Sequence, residues 1–244
     1  RGSKFILLPK GINLISYRIV FKNPLLFRAY FNTIVYVVLG TVINLTLNIF
    51  GAYTLSKKYL PGSKLFMKLI VFTMFFSGGM IPTFILVFKL GMIDTVWAMV
   101  LPHAVSAWNI IIMRTFFMGI DPAVEESANI DGANDIVILF RIVLPLATPV
   151  IAVITLFYAV GHWNAFFDAL LYLRSREMSP IQLVLRDILI SNDRSLTTGV
   201  FDNTQAVSEN VKFALIVVAT LPILFLYPYL QKYFVKGIMV GSIK

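Results

Sequence analysis

Five long runs without a single Asp, Glu, Lys or Arg constrain this chain more than any other feature. They cover residues 29–56, 69–88, 95–113, 142–167 and 213–231, and each has 19 or more residues. An α-helix needs about 20 apolar residues to cross the hydrocarbon core of a bilayer. In lipid every backbone polar group must find its partner within the protein, which leaves helices and closed barrels as spanning structures. A barrel strand alternates polar and apolar residues over about ten positions; these runs do not alternate. The expected fold is an all-α, polytopic transmembrane helical bundle with five spans. Composition agrees: 58% of the residues are hydrophobic and 14% charged, against about 25% charged in soluble domains.

Several runs carry helix breakers. Ser77-Gly78-Gly79 followed by Pro82 should bend the second span, and Pro102 the third. Gly and Pro are also common in membrane helices, so the residues alone leave ordinary bends and functional hinges both open. The connections differ in character: 57–68 is short and basic, 89–94 is a tight turn, 114–141 is long and patterned, and 168–212 is the largest. Within the last, residues 180–190 have helical apolar spacing and predict a short surface helix.

Charge sets the topology less firmly. With 114–141 on the cytoplasmic face, nine Lys and Arg lie on that side and twelve on the other, which mildly opposes the positive-inside rule. The formal charge of +9 reads as Lys and Arg at span ends, and no nucleic-acid partner is expected. The absence of cysteine excludes disulfides, thiolate metal sites and Cys nucleophiles. No metal-ligand cluster and no Ser-His-Asp arrangement appears, so no catalytic or metal site is expected.

The patterned loop holds Asp121-Pro122-Ala123-Val124-Glu125-Glu126-Ser127-Ala128-Asn129-Ile130-Asp131-Gly132-Ala133. Asp121 suits a helix N-cap and Pro122 the first helical position. Glu125 and Glu126 favour the positive end of the helix dipole, and Gly132 permits the left-handed turn that ends it. The prediction is a short amphipathic helix, a sharp turn, and a second helix from Asp135 that re-enters the membrane near Leu144-Pro145. Together they present an acidic knob of small residues to water.

Glu126-Ser127-Ala128, three residues, Gly132, nine residues, Ile142, one residue and Leu144-Pro145 resembles the coupling signature of ABC importer permeases, with Ser127 in place of a second alanine. Asn32-Thr33, Ala52-Tyr53-Thr54-Leu55-Ser56, Phe76-Ser77-Gly78-Gly79-Met80-Ile81-Pro82, Ile130-Asp131-Gly132-Ala133-Asn134 and Trp163-Asn164 resemble the sugar-importer, type I branch. The Phe76-Ser77-Gly78-Gly79 stretch and the Lys236 to Gly241 ending are most similar to permeases for complex and acidic oligosaccharides, including alginate. The resemblance implies a sixth span upstream of Arg1, an extracytoplasmic segment 1–28, a transmembrane domain 29–244, a cytoplasmic coupling loop 114–141 and an extracytoplasmic loop 168–212. It implies a multi-pass subunit of the bacterial inner membrane, paired with a second homologous permease, an ATPase dimer and an extracytoplasmic solute-binding protein. Coupling to the ATPase falls by resemblance on Glu125, Glu126, Ser127, Ala128, Asp131, Gly132 and Ala133, with Glu126 as the docking carboxylate. The tail 236–244 is expected to reach the ATPases as well.

An energy source is missing from the chain. It has no G-x4-G-K-[ST] loop for nucleotide phosphates, so ATP and Mg belong on the partner ATPase and no cofactor is expected here. No charge lies inside any run, whereas ion-coupled carriers usually need one; inverted repeats are absent too. Neither a secondary carrier nor a membrane enzyme is favoured. The substrate path is then built from neutral polar and aromatic groups, with Asn44, Asn48, His103, Asn109, His162, Trp163 and Asn164 as candidates. Such groups suit sugar hydroxyls and C–H faces and also serve as interhelical hydrogen bonds, and both roles stay open for each residue. The basic N-terminal segment, with Arg1, Lys4, Lys10, Arg18, Lys22 and Arg28, suits either an anionic oligosaccharide or lipid headgroups.

Overall fold

The computed structural model describes residues 14–22, 24–57, 59–190 and 210–225. The tail 236–244 and Arg1, Lys4 and Lys10 lie outside them. The described residues fold as helices joined by turns, with no strand among them.

Among the described residues one helix is long and apolar enough to span a membrane alone, α2 (Pro24–Ser56, 33 residues). It has no interior proline and a single interior pair of small breaks, Gly40 and Gly51, both packed against neighbours. A short α1 (Ile15–Lys22) precedes it. The second, third and fourth apolar runs are broken. In the second, α3 (Ser63–Phe75) and α4 (Met80–Lys89) meet at 111°. The break is where the Gly pair predicted it: Gly79 has φ 85° and ψ 175°, a region essentially closed to residues with a Cβ. Pro82 sits in the first turn of α4, where its missing N–H costs no helical bond. In the third, α5 (Val96–Val100) tightens through a turn at Leu101–His103 containing Pro102, then meets α6 (Ala107–Met118) at 54°.

The fourth run departs further from a single rod. The helix after the patterned loop, α8 (Asp135–Ile138), widens into one π turn (Leu139–Val143) and continues as α9 (Leu144–Leu146). At Ala147 the chain swings by 84° into α10 (Thr148–Trp163). Pro145 and Pro149 flank the corner and deny it two backbone donors. α11 (Phe166–Tyr172) follows, then α12 (Ile181–Ile190) and α13 (Asn210–Phe225). The helix predicted at 180–190 exists, with its apolar face packed inward and Arg186, Asp187 and Leu189 toward the outside. Ile181, Leu183, Val184 and Ile188 are buried against α2, α11 and α13.

α2 is the axis of the packing. Its N-terminal half joins α1, α12, α13 and Trp163 in one core; its C-terminal half joins α6 to α10 in another, around Met113, Ile138, Val143 and Ile154. The polar contacts sort the connections to two ends. At one, Arg28 pairs with Glu177 (2.7 Å) and Asn32 and Tyr36 donate to the carbonyls of Glu177 and Met178. At the other, Lys57 and Tyr59 meet the 114–141 loop.

The first end is closed by a clasp at Asp94, a non-glycine residue at φ 60°. Its N–H donates to the Tyr172 carbonyl, and its carboxylate accepts from the N–H groups of Arg174 and Ser175 and from the Ser175 hydroxyl. Those donors, Ser175 first, hold the Asp94 carboxyl below the usual carboxylate range. A carboxyl lowered on folding contributes stability that is complete above its unfolded pKa of about 4 and disappears as pH falls through the lower folded value. Thermal unfolding of the purified chain in detergent should therefore weaken below about pH 4, and Asp94→Asn should flatten that acid limb. An unchanged limb in the mutant assigns the acid sensitivity elsewhere.

Candidate functional site: a polar cavity and an acidic knob joined by one helix

The knob is built from local rules. The Asp121 carboxylate caps α7 (Pro122–Ile130) by accepting from the Ala123 N–H at 3.0 Å. At the other end Gly132 takes φ 82°, the Ala133 N–H donates to the Ala128 carbonyl (2.9 Å), and the Gly132 N–H to Asn129 (3.0 Å). This is the paired closure of a Schellman turn. Asn134 then caps α8 through the Val137 N–H (2.9 Å). The small Ala128 is buried against α6 and α8, which lets α7 lie close.

The two adjacent glutamates face opposite ways. Glu125 turns inward to Lys57, with Nζ–Oε2 at 2.5 Å. Glu126 points outward, exposed, beside exposed Ser127, Asp131 and Ile130, the last 87% accessible. Both residues sit in one acidic pair in the sequence, and only the inward packing of the apolar face separates their roles.

Between the two ends of the bundle lies a cavity of about 520 Å³. It gathers Asn44, His103, Asn109 and His162 from the candidate path, four residues from four helical segments. The Asn44 amide reaches His162 Nε2 (3.0 Å) and the His103 carbonyl (3.4 Å). Asn48, fully buried, stands one turn behind and donates to the Tyr158 hydroxyl (2.6 Å) and the Asn44 carbonyl (2.7 Å). His103 Nε2 lies 3.4 Å from Asp168 at the mouth. Thr41 Oγ1, Asn44 Oδ1 and Asn48 Oδ1 are buried on one stripe of α2 with no protein partner among the described residues. Unpaired buried polar atoms are few in native proteins, and three on one helix face mark this wall as unusual.

Trp163 and Asn164 are not part of it. Trp163 is buried between α2 and α13, its indole donating to the Ala219 carbonyl (3.2 Å) beside Tyr30. Asn164 is exposed, donates to Val160 and accepts from Gln182. Reading the two as a pair overlooked that adjacent helical residues point about 100° apart and away from His162. The sequence reading also missed Tyr158, Ser106 and Asp168. Tyr158 lies four residues before His162, so helical spacing alone puts both on one face. Asp168 falls one residue beyond a charge-free run and was counted with the loop.

Broken apolar helices around a polar cavity, with a braced acidic knob at one end, define a membrane permease of the ABC importer class. The chain belongs to the family described as Binding-protein-dependent transport system inner membrane component, which matches residues 29–240. Among its relatives is Protein LplC of Bacillus subtilis (strain 168), 45% identical over 241 residues, 98% of this chain and 82% of that protein. Another is the polygalacturonan/rhamnogalacturonan transport system permease protein YtcP of the same strain, 44% identical, covering 100% of this chain and 86% of that one. Among solved structures it is similar to a chain of a bacterial ABC transporter involved in the import of the acidic polysaccharide alginate. There the identity is 38% and the TM-score 0.88, over 96% of this chain and 84% of that one.

Proposed function

We propose that this chain is one membrane-spanning subunit of an ATP-driven importer for an oligosaccharide rich in uronic acids. It works in the bacterial inner membrane with a second permease, two ATPases that bind ATP and Mg, and an extracytoplasmic binding protein. α7 and the Gly132 turn dock on the cytoplasmic ATPase with Glu126 outermost. The cavity around Asn44, His103, Asn109 and His162 is this subunit's share of the translocation path.

The observation that carries the reading is the outward Glu126 on a helix capped at both ends and braced from behind, a surface shaped for docking that no other described residue covers. The cargo class is supported by what the relatives carry and by the lining of the cavity, whose amides, hydroxyls and imidazoles suit sugar hydroxyls. That lining contains no Lys or Arg and includes Asp168, so it offers a uronate carboxylate no cationic partner.

Affinity purification from native membranes tests the assembly. Recovery of a Walker-motif ATPase, a second permease and a binding protein, with ATP-dependent uptake of labelled oligogalacturonate by the reconstituted complex, is the expected result. A chain that purifies alone and moves the sugar without ATP overturns the reading.

A further inference from the structure

The Lys57–Glu125 pair has a setting that a surface ion pair lacks. The Lys57 side chain is 9% exposed and that of Glu125 25%. The Lys57 ammonium also lies 4.1 Å from the centre of the Tyr53 ring, a cation–π distance. The Tyr53 hydroxyl donates to the Asp135 carbonyl (3.2 Å), and Tyr59 donates to the Asp135 carboxylate (2.9 Å). Arg114 Nε donates to the Leu55 carbonyl (2.8 Å), one of the α2 carbonyls left open by the end of the helix. Burial works against the Lys57 charge, but the Glu125 carboxylate and the Tyr53 hydroxyl outweigh it and hold Lys57 above the ordinary lysine range. The last turn of α2 is thus fastened to α6, α7 and α8 by charged or aromatic groups in a few ångströms.

α2 is also the longest unbroken apolar helix among the described residues. Lys57 stands thirteen residues beyond Asn44 along the chain, about 20 Å of helix at 1.5 Å per residue. A displacement of α7 that drags Lys57 therefore moves the Asn44 and Asn48 wall of the cavity with it, since a helix of this length does not absorb the motion at a break.

We infer that the Lys57–Glu125 ion pair is the strut that passes movement of α7 into α2 and so to the cavity wall, with Glu125 a positioning residue behind the docking surface. This rests on the reading of α7 as the ATPase contact. It separates two neighbouring glutamates by role: Glu126 meets the partner, and Glu125 carries the load inward.

The absence of native cysteine permits a direct test on the assembled importer. Nitroxides on Leu47→Cys in α2 and Leu86→Cys in α4, both exposed and outside the strut, report whether α2 moves when MgATP is added. The expected result is a MgATP-dependent change in the spin–spin distance that disappears in Lys57→Met and in Glu125→Gln, while the ATPase still co-purifies. The swapped pair Lys57→Glu with Glu125→Lys should restore the change, which a variant that merely misfolds cannot do. Binding-protein-stimulated uptake per ATP hydrolysed should fall about tenfold in the single mutants, within the usual span of site-to-site coupling. A distance change that persists in both single mutants overturns the strut, as does a parent complex in which MgATP moves nothing. Failure of the ATPase to co-purify with the parent would instead sink the docking reading itself.

Discussion

Gly40→Val should collapse the polar cavity, and Gly40→Ala should already disturb it. A Cβ built on Gly40 would stand 2.3 Å from His162 Nε2, 2.6 Å from Cε1 and 2.7 Å from Cδ2. No pair of such atoms coexists at these distances, so the imidazole has to leave. It is itself buried, at 7% exposure, and held by the Asn44 amide. Overpacking typically costs about 1–3 kcal/mol and occasionally more. Here the loss of the Asn44–His162 contact leaves Asn44 with only the long His103 carbonyl bond for its amide nitrogen, beside an acceptor that is already unpaired, worth up to a further ~1–3 kcal/mol. The expected readout is a lowered thermal midpoint in detergent and loss of uptake at normal membrane abundance for the alanine variant. The same clash supplies its own control. Gly40→Ala combined with His162→Ala removes the ring that the methyl meets, so the double mutant should be more stable than the sum of the single effects predicts. Coupling between touching residues runs to about 0.5–3 kcal/mol. Simple additivity in that cycle would show that His162 does not occupy this position.

The same glycine shows where sequence reasoning reaches and where it stops. The charge-free runs coincide with the apolar helices of the described residues, because the exclusion of charge from lipid is a local property of each stretch. Breakers were legible for the same reason. Gly79 and Pro102 act on their own backbone, and the chain bends beside both. The caps of α7 were legible down to single residues, since Asp121 and Gly132 act within five positions of themselves. What depends on contacts between distant segments was not. Nothing in the sequence makes Gly40 more than one small residue in an apolar helix, or says that Glu125 reaches back 68 positions to Lys57. The 84° corner at Ala147 was hidden inside a run that composition presents as continuous. Trp163 lies beside His162 in the chain and yet faces another helix. Among the candidate path residues, only packing decided that Asn44, His103, Asn109 and His162 share a cavity while Asn164 does not.

Glu126→Lys should abolish uptake while leaving the chain in the membrane at its usual level. Glu126 is exposed, and no ion pair holds it among the described residues, so its replacement costs the isolated fold almost nothing. If it meets a basic surface on the ATPase, truncating one partner of such a pair costs about 2–5 kcal/mol, a loss of at least about 30-fold in affinity, and reversing the sign adds repulsion. Pull-down of the ATPase with the mutant chain should therefore fail at concentrations where the parent succeeds. Gly132 gives the contrasting case on the same knob. A Cβ there meets nothing within 4 Å, so Gly132→Ala is penalised only by its φ of +82°, about 1–2 kcal/mol for a left-handed residue with a side chain. Gly132→Asn, which tolerates that conformation better, should dock nearly normally, and Gly132→Val, branched at Cβ, should fare worst of the three. Full docking by Glu126→Lys together with a dead Gly132→Asn would reverse the assignment. The turn, and not the carboxylate, would then be the element that the ATPase reads.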